Sequence, residues 1–345
     1  MAAFKYISIS IIFVCAFCFG CVKNSDDNQR SQDKSENKVS YIRSWRIYRN
    51  DNSLRGYVDT SVADSLEIAW QFETGGSVTA SAVVEDSRVY IGSSDGCFYS
   101  IDIFTGEQIW QYCVSDAIES TACIFAERVC FGSSDSSVYC LDRISGKLLW
   151  KFKTGAKVMG AINCFQDDDL SWKLLFGSYD NNLYCLDAST GEQLWSYEAE
   201  SYINGAAAVD SGIICFGSCD AKIRILSWGT GKLLQEINTG AYIPGSCVID
   251  SGCVYAGNYE NTLTKARIGT GEILWKFDKA EEAMFTPPAV SDEYVLAGSH
   301  DKNLYCLDKE TGTELWSFTA YDVINSSPII CGDSVILASD DEIGR

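Results

Sequence analysis

Seven acidic residues stand at nearly regular intervals along the chain: Asp95, Asp135, Asp180, Asp220, Glu260, Asp301 and Asp341, each three positions after a glycine or, in the last case, an alanine. Two carboxylates facing one bond can share general acid and base work, and carboxylates gathered with His or Cys can hold a metal. Sixteen cysteines and a single histidine, His300, complete the inventory for such centres. The spacing argues against both. A group that returns once in about 40 residues is distributed one to each structural unit, and Asp beside a tight turn accepts backbone N–H bonds there. The seven acids therefore read as turn residues, with no catalytic group among them and no metal site. His300 has no recognisable nucleophile or orienting partner, so it reads as a loop residue.

The elements that carry these acids are themselves repeated. A Thr-Gly or Ser-Gly pair ends at Gly106, Gly146, Gly191, Gly231, Gly271 and Gly312, and a tryptophan follows at Trp110, Trp150, Trp195, Trp275 and Trp316. Trp70 precedes the first full copy, and Gln235 takes the slot in the fourth. The glycine supplies positive φ for a hairpin, and the tryptophan buries a large apolar area between units. Each copy reads as four short strands bounded by turn signals; in the second copy these span 120–125, 128–131, 137–142 and 147–152, with clear alternation in Ser137-Val-Tyr-Cys-Leu-Asp142. This predicts an all-β fold, a β-propeller of four-stranded antiparallel blades forming one domain over 41–345.

Seven copies are read. Residues 68–72 look like an outer strand without inner ones before it, and the last copy stops early in its third strand. Pairing that N-terminal strand with the last blade gives a closed seven-bladed ring without exposed edges; an eight-bladed fold with a truncated chain is the alternative.

The formal charge of −20 excludes a phosphate-backbone partner, since nucleic-acid binding needs a basic surface. The cysteines follow the repeat: Cys140, Cys185 and Cys306 share the slot after Tyr, and Cys130 and Cys215 share the slot two before Gly. They act as small buried hydrophobes, with room for one or two disulfides in an oxidising compartment. That compartment is implied by a leader. Lys5 precedes an apolar run from Tyr6 to Phe19, shorter than a membrane span and suited to a signal peptide over 1–20. The run ends in Cys18-Phe-Gly-Cys21, which resembles a lipobox and makes Cys21 the lipidation candidate, with plain cleavage or an uncleaved anchor as alternatives. Residues 21–40 are too poor in apolar groups to fold and read as a disordered tether. The expected location is the periplasm or cell envelope, on a membrane through the anchor.

The repeat Tyr-x-Leu-Asp-x-x-Thr-Gly-x-x-x-Trp, present as Tyr184 to Trp195 and Tyr305 to Trp316, resembles the quinoprotein-type (PQQ-like) propeller repeat. The similarity covers 41–345 and includes Ser44 to Asp51, which resembles the segment entering the first blade in such proteins. One branch of that family implies dehydrogenases with pyrroloquinoline quinone and calcium; another, the BamB lipoproteins of outer-membrane assembly, implies no catalysis. The chain has no adjacent cysteine pair and no long inter-blade insertions, so the resemblance favours the second branch, with no enzyme activity and no cofactor expected.

Function should then sit where the copies disagree. Nine or ten positions after each tryptophan slot stand Thr79, Glu119, Met159, Asn204, Pro244, Phe285 and Asn325, each followed by a small residue; this reads as a variable ring over a small-residue collar at a channel mouth. Tyr179, Tyr259 and His300 in the slot before the repeated acid, with Tyr202, Tyr242 and Tyr321 in the adjoining loops, add aromatics to the same face. Aromatics of this kind anchor protein interfaces. The expected activity is binding of envelope proteins or peptides by a monomeric propeller; a quinone or small-ligand site in the channel and an envelope sensor are the alternatives. Copies four and five depart most, with Arg224 and Thr264 in place of Tyr, which reads as repeat decay or a lateral docking edge.

Overall fold

The computed structural model describes residues 44–60, 62 and 67–340. The leader, the tether, Cys21 and Asp341 lie outside the described residues. Among the described residues the regular elements are all strands: six four-stranded antiparallel sheets, each of consecutive strands, and one three-stranded sheet. The third blade shows the pattern. Its strands Asn163–Gln166, Trp172–Gly177, Asn182–Asp187 and Gln193–Glu198 run from the axis outwards, and the second and third are buried on both faces between neighbouring blades. Phe131 and Tyr139, Phe176 and Tyr184 fill those inter-blade layers. The fold is a β-propeller.

The repeated residues join blades rather than merely shaping one. Asp180 accepts N–H bonds from Asn182 in its own turn and from Gly155 in the loop of the preceding blade, and a hydroxyl bond from Tyr184 at 2.8 Å. Asp95 and Asp301 repeat the set with Gly75, Cys97 and Tyr99, and with Glu281, Asn303 and Tyr305. In copy four, Arg224 replaces the tyrosine and pairs with Asp220 at 2.7 Å, so the substitution keeps the clamp. In copy five it is relocated: Asn258 accepts the N–H groups of Glu260 and Thr262, while the Glu260 side chain is exposed.

Tryptophan and glycine act as one joint. Trp150 donates its indole N–H to Ala188 O, and a Cβ on Gly191, whose φ is +77°, would fall 2.7 Å from the Trp150 ring. Only glycine fits, by conformation and by space. Trp70, Trp110, Trp195 and Trp275 hold the next blade in the same way through Ile103, Arg143, Trp228 and Lys309. Gln235 substitutes an accepted N–H from Gly269. Trp316, whose counterpart would fall after residue 340, is 45% exposed.

At closure the partner expected for residues 68–72 falls after residue 340, outside the described residues, and a second N-terminal strand meets the last blade at the axis. Residues 67–72 make no ladder among the described residues, although Trp70 occupies the outer-strand position against Gly106. The N-terminal strand that pairs with the last blade is Tyr57–Val58, parallel to Ile329–Cys331 at the axial edge. The reason lies just upstream. Residues 45–56 form a strap that visits every innermost strand in turn: Trp45 exchanges two bonds with Val84, and the carbonyls of Arg46, Asn52, Ser53, Arg55 and Gly56 accept the N–H groups of Ile124, Val209, Ile249, Val290 and Ile330. At the third blade the Asn52 amide reaches Cys164 O and Asn163 Oδ1.

Among the described residues sulfur forms one bridge, and most of the remaining cysteines are buried, Cys219 only in part. Cys97 and Cys113 are cross-strand partners joined by a disulfide at the edge of the first blade. Cys123, Cys130 and Cys140 face one another across three strands of the second blade and are fully buried.

The Asp–Tyr clamps make an alkaline prediction. Burial and the hydrogen bond to Asp95 push the Tyr99 phenol up to about 12, whereas an unfolded tyrosine ionises near about 10. A raised folded value stabilises fully below about pH 10 and fades as pH climbs towards 12. The melting temperature should therefore fall over that interval, with a shallower fall in Tyr99→Phe.

Candidate binding face and central cavity

In each blade the loop entering the innermost strand and the turn between the second and third strands emerge on one face. Within this face the mouth ring surrounds a central cavity of about 740 Å³. Thr79, Glu119, Met159, Asn204, Pro244 and Asn325 line it; Phe285 instead turns towards its aromatic neighbours. The cavity's other wall is the strap, through Trp45, Tyr48, Arg49 and Asn50. Those four escaped sequence reasoning because they belong to no repeat. The resemblance of Ser44 to Asp51 to a blade-entry segment was the available signal.

The small-residue collar has a cause beyond the mouth. A Cβ on Gly160, Gly205 or Gly245 would lie 2.5, 2.4 or 2.2 Å from a backbone oxygen of the next blade. Blades three to six thus meet backbone against backbone at the channel rim, and any side chain would prise them apart.

Outside the ring the aromatics form a crescent over blades three to six. Tyr179 and Tyr202 stack at 5.1 Å, and the Tyr179 hydroxyl donates to Asn204 Oδ1 at 3.0 Å. Tyr259 links Tyr242 at 6.4 Å to Phe285 at 4.7 Å, and Phe285 meets the His300 ring edge-on at 4.2 Å. His300 Nε2 pairs with Asn325 Oδ1 at 2.6 Å, and the Asn325 amide donates to Asp340. Tyr202, Tyr242, Tyr259 and Tyr321 are 48%, 58%, 55% and 68% exposed, so the crescent is a surface rather than core. Over blades one and two the same slots hold Ser94 and Ser134, and the crescent stops. Burial, then the Asp220 charge, pushes the half-buried Cys219 thiol up, away from a nucleophilic thiolate.

The arrangement offers flat rings, amides and one carboxylate around a cavity. It is equipped to bind. Among the described residues no three His, Cys, Asp or Glu side chains are set to hold a metal.

Comparison with known proteins agrees with this architecture. The family model described as outer membrane protein assembly factor BamB matches residues 54–163, 119–318 and 260–345. No curated protein matches the sequence. Among solved structures, BamB from Moraxella catarrhalis is similar with a TM-score of 0.70 and 18% identity, over 87% of this chain and 96% of that one. The computationally designed Ika8 protein is similar with a TM-score of 0.71 and 22% identity, over 80% and 85%. At these identities the likeness concerns the fold.

Proposed function

Because the chain belongs to the outer membrane protein assembly factor BamB family, we propose that it is a non-catalytic, exported propeller of the cell envelope that binds other envelope proteins or peptides through its loop-rich face. The observation that carries this reading is the exposed aromatic crescent from Tyr179 to His300. Rigid rings on a rigid disc lose little entropy when they dock, and they are over-represented among residues that dominate binding. The expected partner is a protein with a complementary apolar patch, bound without change in the propeller. Capture from detergent-solubilised envelope should recover one such partner in fixed stoichiometry. The double variant Tyr242→Ala, Phe285→Ala should weaken it by at least about 30-fold, roughly one hot-spot anchor. Equal capture by the variant sinks the crescent as the docking site.

A non-catalytic role is supported by the side chains that meet at the face. His300 is engaged by Asn325, whose amide donates in turn to Asp340, with no nucleophile in the network, and the chain has no adjacent cysteine pair of the kind that quinone-dependent relatives carry. Anchoring through a lipid on Cys21 belongs to the same proposal: labelled fatty acid should enter the wild-type protein and not Cys21→Ser, and label retained in that variant refutes it.

A further inference from the structure

The central cavity holds chemistry that docking at the crescent leaves unused. Its polar lining is made almost wholly of neutral groups: the hydroxyls of Thr79, Ser81 and Thr121, those of Tyr48 and Ser327 paired with each other at 2.7 Å, and the amide of Asn50 among them. Two charged residues line it. Arg49 is 2% exposed, and its guanidinium donates to the carbonyls of Leu54, Arg55, Pro287 and Pro288, so its donors are already directed into the protein. Glu119 stands at the mouth of a chain with a formal charge of −20. An anionic ligand would meet a repulsive entrance and no ready cation. A cationic ligand would find a single carboxylate.

Between the hydroxyls and amides lie Trp45, Met159, Pro244 and Pro287. Apolar ring faces interleaved with neutral hydrogen-bonding groups suit a ligand with the same alternation, apolar C–H faces and a rim of hydroxyls. The main chain offers less. Six of the seven innermost strands already give a backbone N–H to the strap, which limits the ladder that an extended peptide would need for strand addition. From these observations we propose that the central cavity is a binding site for a neutral oligosaccharide. At about 740 Å³ it falls within the usual range for small-ligand pockets and has room for roughly two or three sugar rings. The oligosaccharide enters past Thr79 and Met159, stacks on Trp45 and is read by the hydroxyl and amide ring. This site is separate from the crescent and stands whether or not the crescent docks a protein.

The test uses the purified mature protein and three probes: chitotriose, a uronic acid trisaccharide and an uncharged hexapeptide. Tryptophan fluorescence and saturation-transfer NMR read the binding. Chitotriose should bind with a submillimolar Kd and at least tenfold more tightly than the uronate or the peptide. Met159→Trp should fill the cavity and abolish that binding while a thermal melt reports an intact fold; Thr79→Trp blocks the exposed mouth should the first variant fail to fold. Glu119→Gln should narrow the gap between chitotriose and the uronate. Preference for the peptide or the uronate, no binding of chitotriose, or binding unaffected by both blocking variants overturns the proposal. The crescent variant Tyr242→Ala, Phe285→Ala should leave chitotriose binding within twofold.

Discussion

Replacing Arg49 by methionine is expected to destabilise the propeller by about 3–5 kcal/mol, the scale of leaving several buried carbonyls without their donor. The Arg49 side chain ties the turn at Leu54 and Arg55 to the start of the sixth blade at Pro287 and Pro288, through four carbonyl contacts of 2.7–3.3 Å. Methionine nearly matches the volume but leaves those carbonyls without their donors in a site water barely reaches, and each such loss costs about 1–3 kcal/mol. Lysine should rescue little, since a single ammonium cannot span acceptors that a planar fork reaches together. The fit is tight enough to dictate a neighbour: a Cβ on Gly56, whose φ is +62°, would lie 2.2 Å from the guanidinium. Chemical denaturation checks the number, and limited proteolysis checks the location, with cleavage of Arg49→Met appearing first within 44–58. A change below about 1 kcal/mol would falsify the keystone role.

The second large effect is expected at the rim. In Gly245→Ala the new methyl group would meet Phe285 O at 2.2 Å and Pro287 Cδ at 3.4 Å. A backbone carbonyl and a proline ring leave no flexible side chain to yield, so blades five and six must separate, for about 3 kcal/mol, the upper end of ordinary overpacking costs. Valine there should prevent folding. Gly229→Ala is the matched control, because nothing lies within 4 Å of its Cβ and no positive φ constrains it; it should stay within about 0.5 kcal/mol of wild type. Equal melting of the two variants would remove the backbone-contact explanation for the collar.

These two sites mark the boundary of what the sequence discloses. Strand order within a blade and the turn and packing roles of Asp, Thr-Gly and Trp were legible because each is set by residues close in sequence and repeated several times, whereas the blade number was read as seven with eight left open. Repetition turns a weak local signal into a strong one. The pairing of Trp150 with Gly191 was half legible: both residues recur, but that one lies on the other depends on how blades are stacked. The collar was recognised as small and as mouth lining, and Gly160, Gly205 and Gly245 do line the cavity; the backbone contact behind it was not legible, since both causes leave the same residues in the sequence. The path of the strap was hidden, although Ser44 to Asp51 marked where it begins. Its bonds are main-chain carbonyls whose donors lie up to 274 positions away, as in Gly56 with Ile330, and main-chain bonds carry no side-chain signature. The disulfide was equally unreadable in detail, because Cys97 and Cys113 become neighbours through a ladder register that turns and bulges decide. At the site the mouth ring was found by the converse reasoning, from positions where copies disagree, and the structure places six of its seven members around one cavity.

The strap also bears on the order of events during folding. Blades made of consecutive strands can form as each stretch of chain becomes available, because their contacts are local and loop closure costs little. Residues 45–58 cannot settle until the innermost strand at 329–331 exists to receive them. The earliest part of the described chain is thus the last to find its place. Until then the half-built ring presents bare axial strand edges, the interval in which such a protein is most exposed to aggregation. A slow kinetic phase belonging to Trp45 alone, after the blades have formed, is the signature this sequence of events would leave.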